Sequence, residues 1–299
     1  MRIAIAGGSG FVGEPLVRRL VSRGDDVVVL TRNPGKVRAG RGVVWDGRSA
    51  GGWTSEVAGA DVVINLAGEN VAEGRWTAER KRQLLNSRVD STRALVNAIE
   101  TGPARSRTFI NASAVGYYGL RGDELLTESG SAGAGFLSDL VKQWEAEAGH
   151  AEKSARLVIL RFGVILAADG GALAKMLLPF KLGAGGRIGS GQQWMSWISR
   201  EDVVRMIEWA IAEDGARGVY NVTAPEPVRN QDFTKALGKA LHRPAVFPVP
   251  GFVLKAVFGE MAGEVLLGGQ RVVPERAMQA GFVFSDRMLE TALKRALQA

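Results

Sequence analysis

The chain contains no cysteine and only two histidines, His150 and His242, in 299 residues. Without thiols there are no disulfides, no cysteine metal centres and no thiolate chemistry. The two histidines stand far apart with no metal-ligand spacing around them, so both read as surface or packing residues and no metal site is expected. No apolar run approaches the ~20 residues needed to span a bilayer, so no membrane partner is expected. Met1 leads straight into a strand-like run, which leaves no room for a signal peptide and makes a cytoplasmic location the expectation. The net charge of +7 and pI near 9.9 raise the question of nucleic acid. Lys and Arg are scattered, however, without aromatic interleaving or a nucleic-acid motif, so no nucleic-acid partner is expected. The excess is mostly Arg, as Arg32–Arg48 shows; a basic cleft for a phosphorylated cofactor or substrate accounts for part of it and general solubility for the rest.

Glycine, by contrast, is plentiful, and its placement is informative. Gly7-Gly8-Ser9-Gly10-Phe11-Val12-Gly13 follows the apolar run Ile3–Ala6 and precedes a helix-like stretch, Glu14–Ser22. Strand, glycine-rich turn and helix together hold a dinucleotide pyrophosphate. The first glycine permits the tight turn, the middle one lets backbone approach phosphate, and the last lets helix pack on sheet.

Further strand-like runs at Val27–Leu30, Val62–Leu66, Thr108–Ala112 and Leu157–Leu160 alternate with helical patterns at Ala78–Ile99 and Phe136–Ala151. This alternation predicts an α/β fold of Rossmann-like type, a doubly wound parallel sheet covered on both faces. After Arg161-Phe162-Gly163 the character changes. Helical patterns at Ala172–Lys181, Glu201–Ala212, Asn230–Leu241 and Val253–Leu267 are separated by glycine-rich turns and a return strand, Val219–Val222. The expected organisation is a dinucleotide-binding domain over residues 1–166, rejoined by 198–225, and a smaller C-terminal substrate-binding domain over 167–197 and 226–299.

The end of the second strand discriminates between the nicotinamide dinucleotides, since a carboxylate there suits the ribose of NAD and a basic residue the 2′-phosphate of NADP. Here Val28-Val29-Leu30 runs into Thr31-Arg32 with no carboxylate. The Arg32 fork can clamp a phosphate and Thr31 can add a hydroxyl, so NADP(H) is the expected cofactor; the plainer reading of Arg32 is a solvated turn residue.

These pieces resemble the extended short-chain dehydrogenase/reductase superfamily, through Gly7-x-x-Gly10-x-x-Gly13, Asp61–Gly68, Leu160-Arg161-Phe162-Gly163, Ile198–Val203 and Val219–Val222. More closely, the chain resembles an atypical branch called the epimerase family, or nucleoside-diphosphate-sugar epimerases. That likeness is carried by Asn65-Leu66-Ala67-Gly68-Glu69-Asn70, Asn86-Ser87-Arg88, Ser113–Gly119, Trp144-Glu145, Gly189–Trp194 and Gln270–Pro274. It spans essentially the whole chain. The resemblance implies NADP(H) binding, with Gly7, Ser9, Gly10, Phe11, Val12 and Gly13 at the pyrophosphate and Thr31 and Arg32 at the 2′-phosphate. It places Leu66, Ala67 and Gly68 beside the riboses and turns Arg88 toward the cofactor phosphates; from the sequence alone, Arg88 reads equally as a solvated helix residue. Superfamily relatives dimerise through helices like Ala78–Ile99 and Phe136–Ala151, so a homodimer is an expectation.

The superfamily's catalytic Tyr-x-x-x-Lys pair, in which Lys lowers the Tyr pKa, is missing. The corresponding stretch reads Phe136–Glu145, and the position four before Lys142 is Ser138. The nearest replacement is the loop after the fourth predicted strand, where Ser113 would bind a substrate oxygen and Tyr117 or Tyr118 would supply a proton. The alternative is that both tyrosines pack beneath the cofactor or line a pocket. Trp194 reads either as a stacking surface for a sugar or base or as a buried hinge residue. Two functions remain open. One is an NADP(H)-dependent epimerase-like oxidoreductase, acting on a nucleotide sugar or another small carbonyl or hydroxyl compound. The other is a non-catalytic NADPH-binding sensor that acts through a partner.

Overall fold

In the computed structural model, which describes residues 1–103 and 107–298, the first half of the chain alternates strands and helices. It runs β1 (Arg2–Ala6), α1 (Gly13–Ser22), β2 (Asp26–Thr31), β3 (Arg41–Val44), α2 (Trp53–Ala58), β4 (Val62–Asn65), α3 (Ala78–Glu100), β5 (Thr108–Ala114), β6 (Leu125–Leu126), α4 (Phe136–Gly149) and β7 (Arg156–Phe162). The second half runs β8 (Val164–Ala167), α5 (Gly171–Lys181), β9 (Trp194–Met195), β10 (Trp197–Ser199), α6 (Arg200–Ala212), β11 (Gly218–Val222), β12 (Val228–Arg229), α7 (Asn230–Leu241), α8 (Gly251–Phe258), β13 (Arg271–Val272), α9 (Glu275–Gln279) and α10 (Leu289–Gln298). The expected domain limits also include residues 104–106 and 299, which lie outside the described residues. Among the described residues no helix is long and apolar enough to cross a membrane, and no group of three metal-binding side chains is brought together.

Seven strands form one parallel sheet in the order β11-β7-β5-β4-β1-β2-β3. β1 explains why both faces are covered. Ile3 and Ile5 join a core with Leu16, Leu20 and Val29, while Ala4 and Ala6 join the opposite core with Val28, Leu30 and Leu95. Successive strand side chains point to opposite faces, so an unbroken apolar strand needs a helix layer on each side. A separate apolar cluster, including Leu173, Phe180, Trp197, Phe233, Leu237 and Leu293, holds β8 to α5, α7 and α10.

The register aligns the carboxyl ends of the strands. Ala6 pairs with both Leu30 and Asn65, and Asn65 pairs with Asn111. The glycine loop, the Thr31-Arg32 turn, the Leu66-Ala67-Gly68 turn and the Ser113 segment therefore open on one edge of the sheet, where open α/β sheets bind ligands. Buried polar groups pin that edge. Asn65 Nδ2 donates to Thr92 Oγ1 at 2.9 Å and to Asn111 Oδ1 at 2.8 Å, and Asn65 Oδ1 accepts from the Ala67 amide at 3.1 Å. Trp144 Nε1 donates to the same Thr92 hydroxyl at 3.0 Å. Thr92→Val removes the shared acceptor and strands two buried donors, so we expect a loss of about 1–3 kcal/mol per stranded group, read as a lower urea midpoint.

The sequence reading did not contain β3, α2, the short strands β6, β8, β9, β10, β12 and β13, or the helices α9 and α10, and it drew one helix too long. β3 went unread because Arg41–Val44 is a four-residue edge strand whose Val44 is exposed. α2 is a single short segment. The helix expected over Val253–Leu267 ends at Phe258, because Gly259 adopts φ 60°, and Ala262–Leu266 forms a separate wide turn.

Candidate functional site

The glycine loop is built for close backbone approach. Gly7 has φ +77°, and a Cβ on it would lie 2.8 Å from the Leu66 carbonyl. A Cβ on Gly13 would lie 2.2 Å from the Gly7 carbonyl oxygen and 2.6 Å from Gly8 Cα. The α1 N-terminus that follows has no side-chain cap, leaving backbone donors for an anion. Ser9 is exposed at the loop's tip, and Phe11 packs against Gly170 and Gly171 at the start of α5.

From this loop a cleft of about 930 Å³ runs toward β2 and β3. Gly7, Ser9, Gly10, Thr31, Arg32, Leu66, Ala67 and Gly68 line it. It also gathers Lys36, Arg38 and Arg48, which the sequence reading did not single out. Arg38 is tied to Glu14 at 3.3 Å. A hydrogen bond from Arg18, helped by Arg38, holds the Glu14 carboxyl below its usual range. Arg32, Lys36 and Arg48 make no side-chain hydrogen bond or ion pair among the described residues. Asp46 on the same cleft accepts from the backbone amides of Arg48 and Ser49, which pull its pKa down to about 2. Arg32, Lys36 and Arg48 thus line the same cleft as the glycine loop, with the Arg48 charge also acting on Asp46. Trp45 Nε1 on the cleft wall is buried without a partner among the described residues. The glycine cradle, the free cations and this orphaned donor all fit a phosphorylated dinucleotide.

At the other end of the loop lies a cavity of about 420 Å³ lined by Phe11, Val12, Gly13, Leu66, Arg88, Ser113 and the inner face of α4, among others. That face presents Leu137, Leu140, Val141 and Trp144. Leu137 and Val141, four residues apart, occupy the helix positions from which a Tyr-x-x-x-Lys pair would reach the cavity. Leu140 and Trp144, spaced in the same way, line the cavity as well, whereas Ser138 and Lys142 do not. Ser138 is buried and donates to the Tyr117 and Gly133 carbonyls, and Lys142 points away in an ion pair with Asp139 at 2.7 Å. The start of α4, which lacks a side-chain cap of its own, is held by Glu264, whose two oxygens accept from the Phe136 and Leu137 amides at 2.9 Å each.

Arg88 is buried on the cavity wall. Its Nη1 and Nη2 donate to the Leu84 and Glu69 carbonyls at 2.9 and 2.8 Å, so the guanidinium props the Gly68-Glu69 turn. Burial lowers its pKa to about 10, which leaves it charged at neutral pH. Ser113 lines the cavity and donates to Glu145 Oε1. Glu145 in turn accepts from Arg161 Nε at 2.8 Å and Nη2 at 2.7 Å. Arg161 Nη1 donates to the Tyr118 hydroxyl at 3.0 Å, and Tyr118 donates to Asn221 Oδ1 at 2.8 Å. Burial opposes the Arg161 charge, but the hydrogen bonds and charge of Glu145 outweigh it and raise the Arg161 pKa.

The two tyrosines are thereby accounted for. Tyr118 is wholly buried, and burial raises its pKa. Tyr117 is absent from the residues lining the cavity; its ring stacks under Arg161, 3.4 Å from the guanidinium carbon. Neither tyrosine is among the residues lining the cavity, and the cation beside them is Arg161 rather than a neighbour in sequence. Trp194 is likewise engaged, with Arg229 and Arg271 over its ring at 4.1 and 4.7 Å and its indole N–H on Asp123.

The comparisons with known proteins agree with this architecture. The model of the NAD dependent epimerase/dehydratase family matches residues 3–223, and that of a domain of unknown function, DUF1731, matches residues 249–296, which include Glu264. The chain is 39% identical over 306 aligned positions to a chloroplastic homologue of the epimerase family protein SDR39U1 from Arabidopsis thaliana, covering 100% of this chain and 87% of the relative. The human epimerase family protein SDR39U1, solved with NADPH, is 35% identical and superposes with a TM-score of 0.90, covering 100% of this chain and 99% of that one. A nucleoside-diphosphate sugar epimerase from Corynebacterium glutamicum is 31% identical with a TM-score of 0.78, covering 99% of this chain and 57% of that one. The chain belongs to the NAD dependent epimerase/dehydratase family, in its SDR39U1-like branch.

Proposed function

We propose that this protein binds NADP(H), with the 2′-phosphate on Arg32, Lys36 and Arg48, the pyrophosphate on the glycine loop and the nicotinamide at the mouth of the Ser113 cavity. The observation that carries this reading is the cluster of unengaged cations at the end of β2, where a carboxylate would favour NAD. The human relative solved with NADPH supports it. When bound, the nicotinamide supplies hydride chemistry at a carbon held against its ring. The chain's own residues then have limited tasks. Leu137, Leu140, Val141 and Trp144 exclude water, the turn propped by Arg88 sets the floor, and Ser113 meets the reacting oxygen. On this reading the protein is an NADP(H)-dependent oxidoreductase of a small molecule. A second reading, an NADPH-binding sensor without turnover, is favoured by one observation: the cavity face of α4 carries no proton donor at the positions of the usual pair.

The half-molecule 2′,5′-ADP tests the phosphate site without the nicotinamide. Calorimetry is expected to show 2′,5′-ADP binding to the wild type, and Arg32→Ala with Arg48→Ala to weaken it by about 10–100-fold, the worth of one or two charge-assisted hydrogen bonds. Unchanged affinity in the double variant rejects the assignment.

A further inference from the structure

We propose that the exposed face formed by the end of α5, residues 243–250 and α8 is a docking surface for an anionic lipid bilayer. A helix that lies in the plane of the interface needs no spanning segment. The missing apolar run, from which no membrane partner was expected, therefore does not bear on this face.

The distribution of charge singles this face out. Residues 170–199 and 233–259 hold seven of the 38 Lys and Arg and none of the 31 Asp and Glu. Elsewhere 31 cations balance 31 acids, so these two stretches account for the whole net charge of +7. The fold brings them side by side. Arg243 Nε donates to the Lys181 carbonyl at 3.2 Å, the Phe247 amide to the Gly185 carbonyl at 3.2 Å and the Val249 amide to the Arg187 carbonyl at 2.9 Å. Lys235 pairs with Asp232 at 3.5 Å. Lys175, Arg187 and Arg243 reach only backbone carbonyls, and Lys181, Lys239 and Lys255 have no side-chain partner among the described residues. Most of this charge is thus left for an outside partner.

The same face is apolar. Phe252, Leu182 and Phe247 are 75%, 74% and 60% exposed. Leu178 is exposed one turn before Leu182 on α5, and Val253 and Val257 are exposed with Phe252 on α8. No residue of α8 is buried, although Phe258 at its end packs against the cluster around Trp76 and Met261. Large apolar side chains gathered on an exposed face mark a contact surface, and the cations among them decide the partner. A second copy meeting this face with its own would set like charges against each other. Nucleic acid would meet the cations and leave the phenylalanines in water. An anionic bilayer matches both, because Lys and Arg reach the headgroups while Phe and Leu enter the acyl boundary.

The test is co-sedimentation of the full chain with vesicles of phosphatidylcholine alone and with vesicles of equal parts phosphatidylcholine and phosphatidylglycerol. We expect the anionic vesicles to hold the protein at least about tenfold more strongly, with the difference shrinking as salt rises. Phe247→Ser with Phe252→Ser should weaken that binding about 10–100-fold, through the loss of two embedded rings. Lys181→Gln with Lys255→Gln should weaken it about tenfold. Lys142→Gln with Lys153→Gln, the same change of charge on and just after α4, should leave it within about twofold. Every one of these side chains is exposed, so the urea midpoints should not move. The proposal is overturned if the protein stays off the anionic vesicles. It is also overturned if the phenylalanine variant binds them like the wild type, which is adsorption by net charge, or if the two lysine pairs have equal effects. A dimer in sedimentation equilibrium that the phenylalanine variant dissolves would assign the face to a second copy and overturn it as well.

Discussion

Gly13→Ala is expected to abolish NADPH binding at concentrations that saturate the wild type, a loss of at least about 100-fold or ~2.7 kcal/mol. The added Cβ would sit 2.2 Å from the Gly7 carbonyl oxygen and within 2.8 Å of Gly8 backbone. These neighbours are main-chain atoms of the loop itself, so relief requires the loop to move off the start of α1. That movement takes the backbone donors out of line with the pyrophosphate. The stability cost should be ordinary for overpacking, about 1–3 kcal/mol, and the far-UV spectrum should persist. Gly52→Ala is the matched control, because its Cβ meets nothing within 4 Å and its φ is −57°, so affinity should not change. A Gly13→Ala protein that binds NADPH like the wild type would show that the pyrophosphate does not lie on this loop.

The second large effect concerns stability. Arg161→Met should cost about 3–5 kcal/mol, because it leaves the Glu145 carboxylate buried without its charge partner. The Tyr118 hydroxyl loses its donor in the same change. For a chain of this size that loss corresponds to a fall in Tm of roughly 6–15 °C. Arg161→Met combined with Glu145→Leu should recover much of it, since an apolar pair replaces an ion pair at no net charge burial. Thermal unfolding of the two variants decides the matter. A single variant within about 1 kcal/mol of wild type would mean that the pair is solvated and does not fix Ser113.

Local patterns carried most of the sheet. Ile3–Ala6 followed by three spaced glycines marks a strand, a turn and a helix within 22 residues, and the apolar strands at Val27, Val62, Thr108 and Leu157 announce burial on both faces. β3 escaped because Gly42 and an exposed Val44 give it no period-2 pattern; its place is set by parallel pairing with β2, with Gly42 close against Pro34. The cofactor side was legible for the same local reason, since Thr31-Arg32 directly follows its strand. Arg48 reaches the cleft because the chain folds back through β3, whereas Lys36 and Arg38 lie in the connection between β2 and β3.

The cavity was less legible. Sequence showed that the usual pair was missing, but it could not show which residues of α4 face inward. Leu137, Leu140, Val141 and Trp144 form a helical stripe that reads as ordinary core. The Ser113, Glu145, Arg161 and Tyr118 network joins residues up to 48 positions apart, on a strand end, a helix, a second strand and a turn. Nothing in local spacing links them. Tyr117 was the natural candidate for a proton donor in sequence, and the stacking of its ring on Arg161 is a purely tertiary fact.

The most direct measurement is calorimetric titration of the wild-type protein with NADPH and, separately, with NADH at the same ionic strength. The cluster of Arg32, Lys36 and Arg48 predicts that NADPH binds at least about tenfold more tightly and that rising salt narrows the gap. Equal affinity for the two dinucleotides, or binding of neither, would contradict the account.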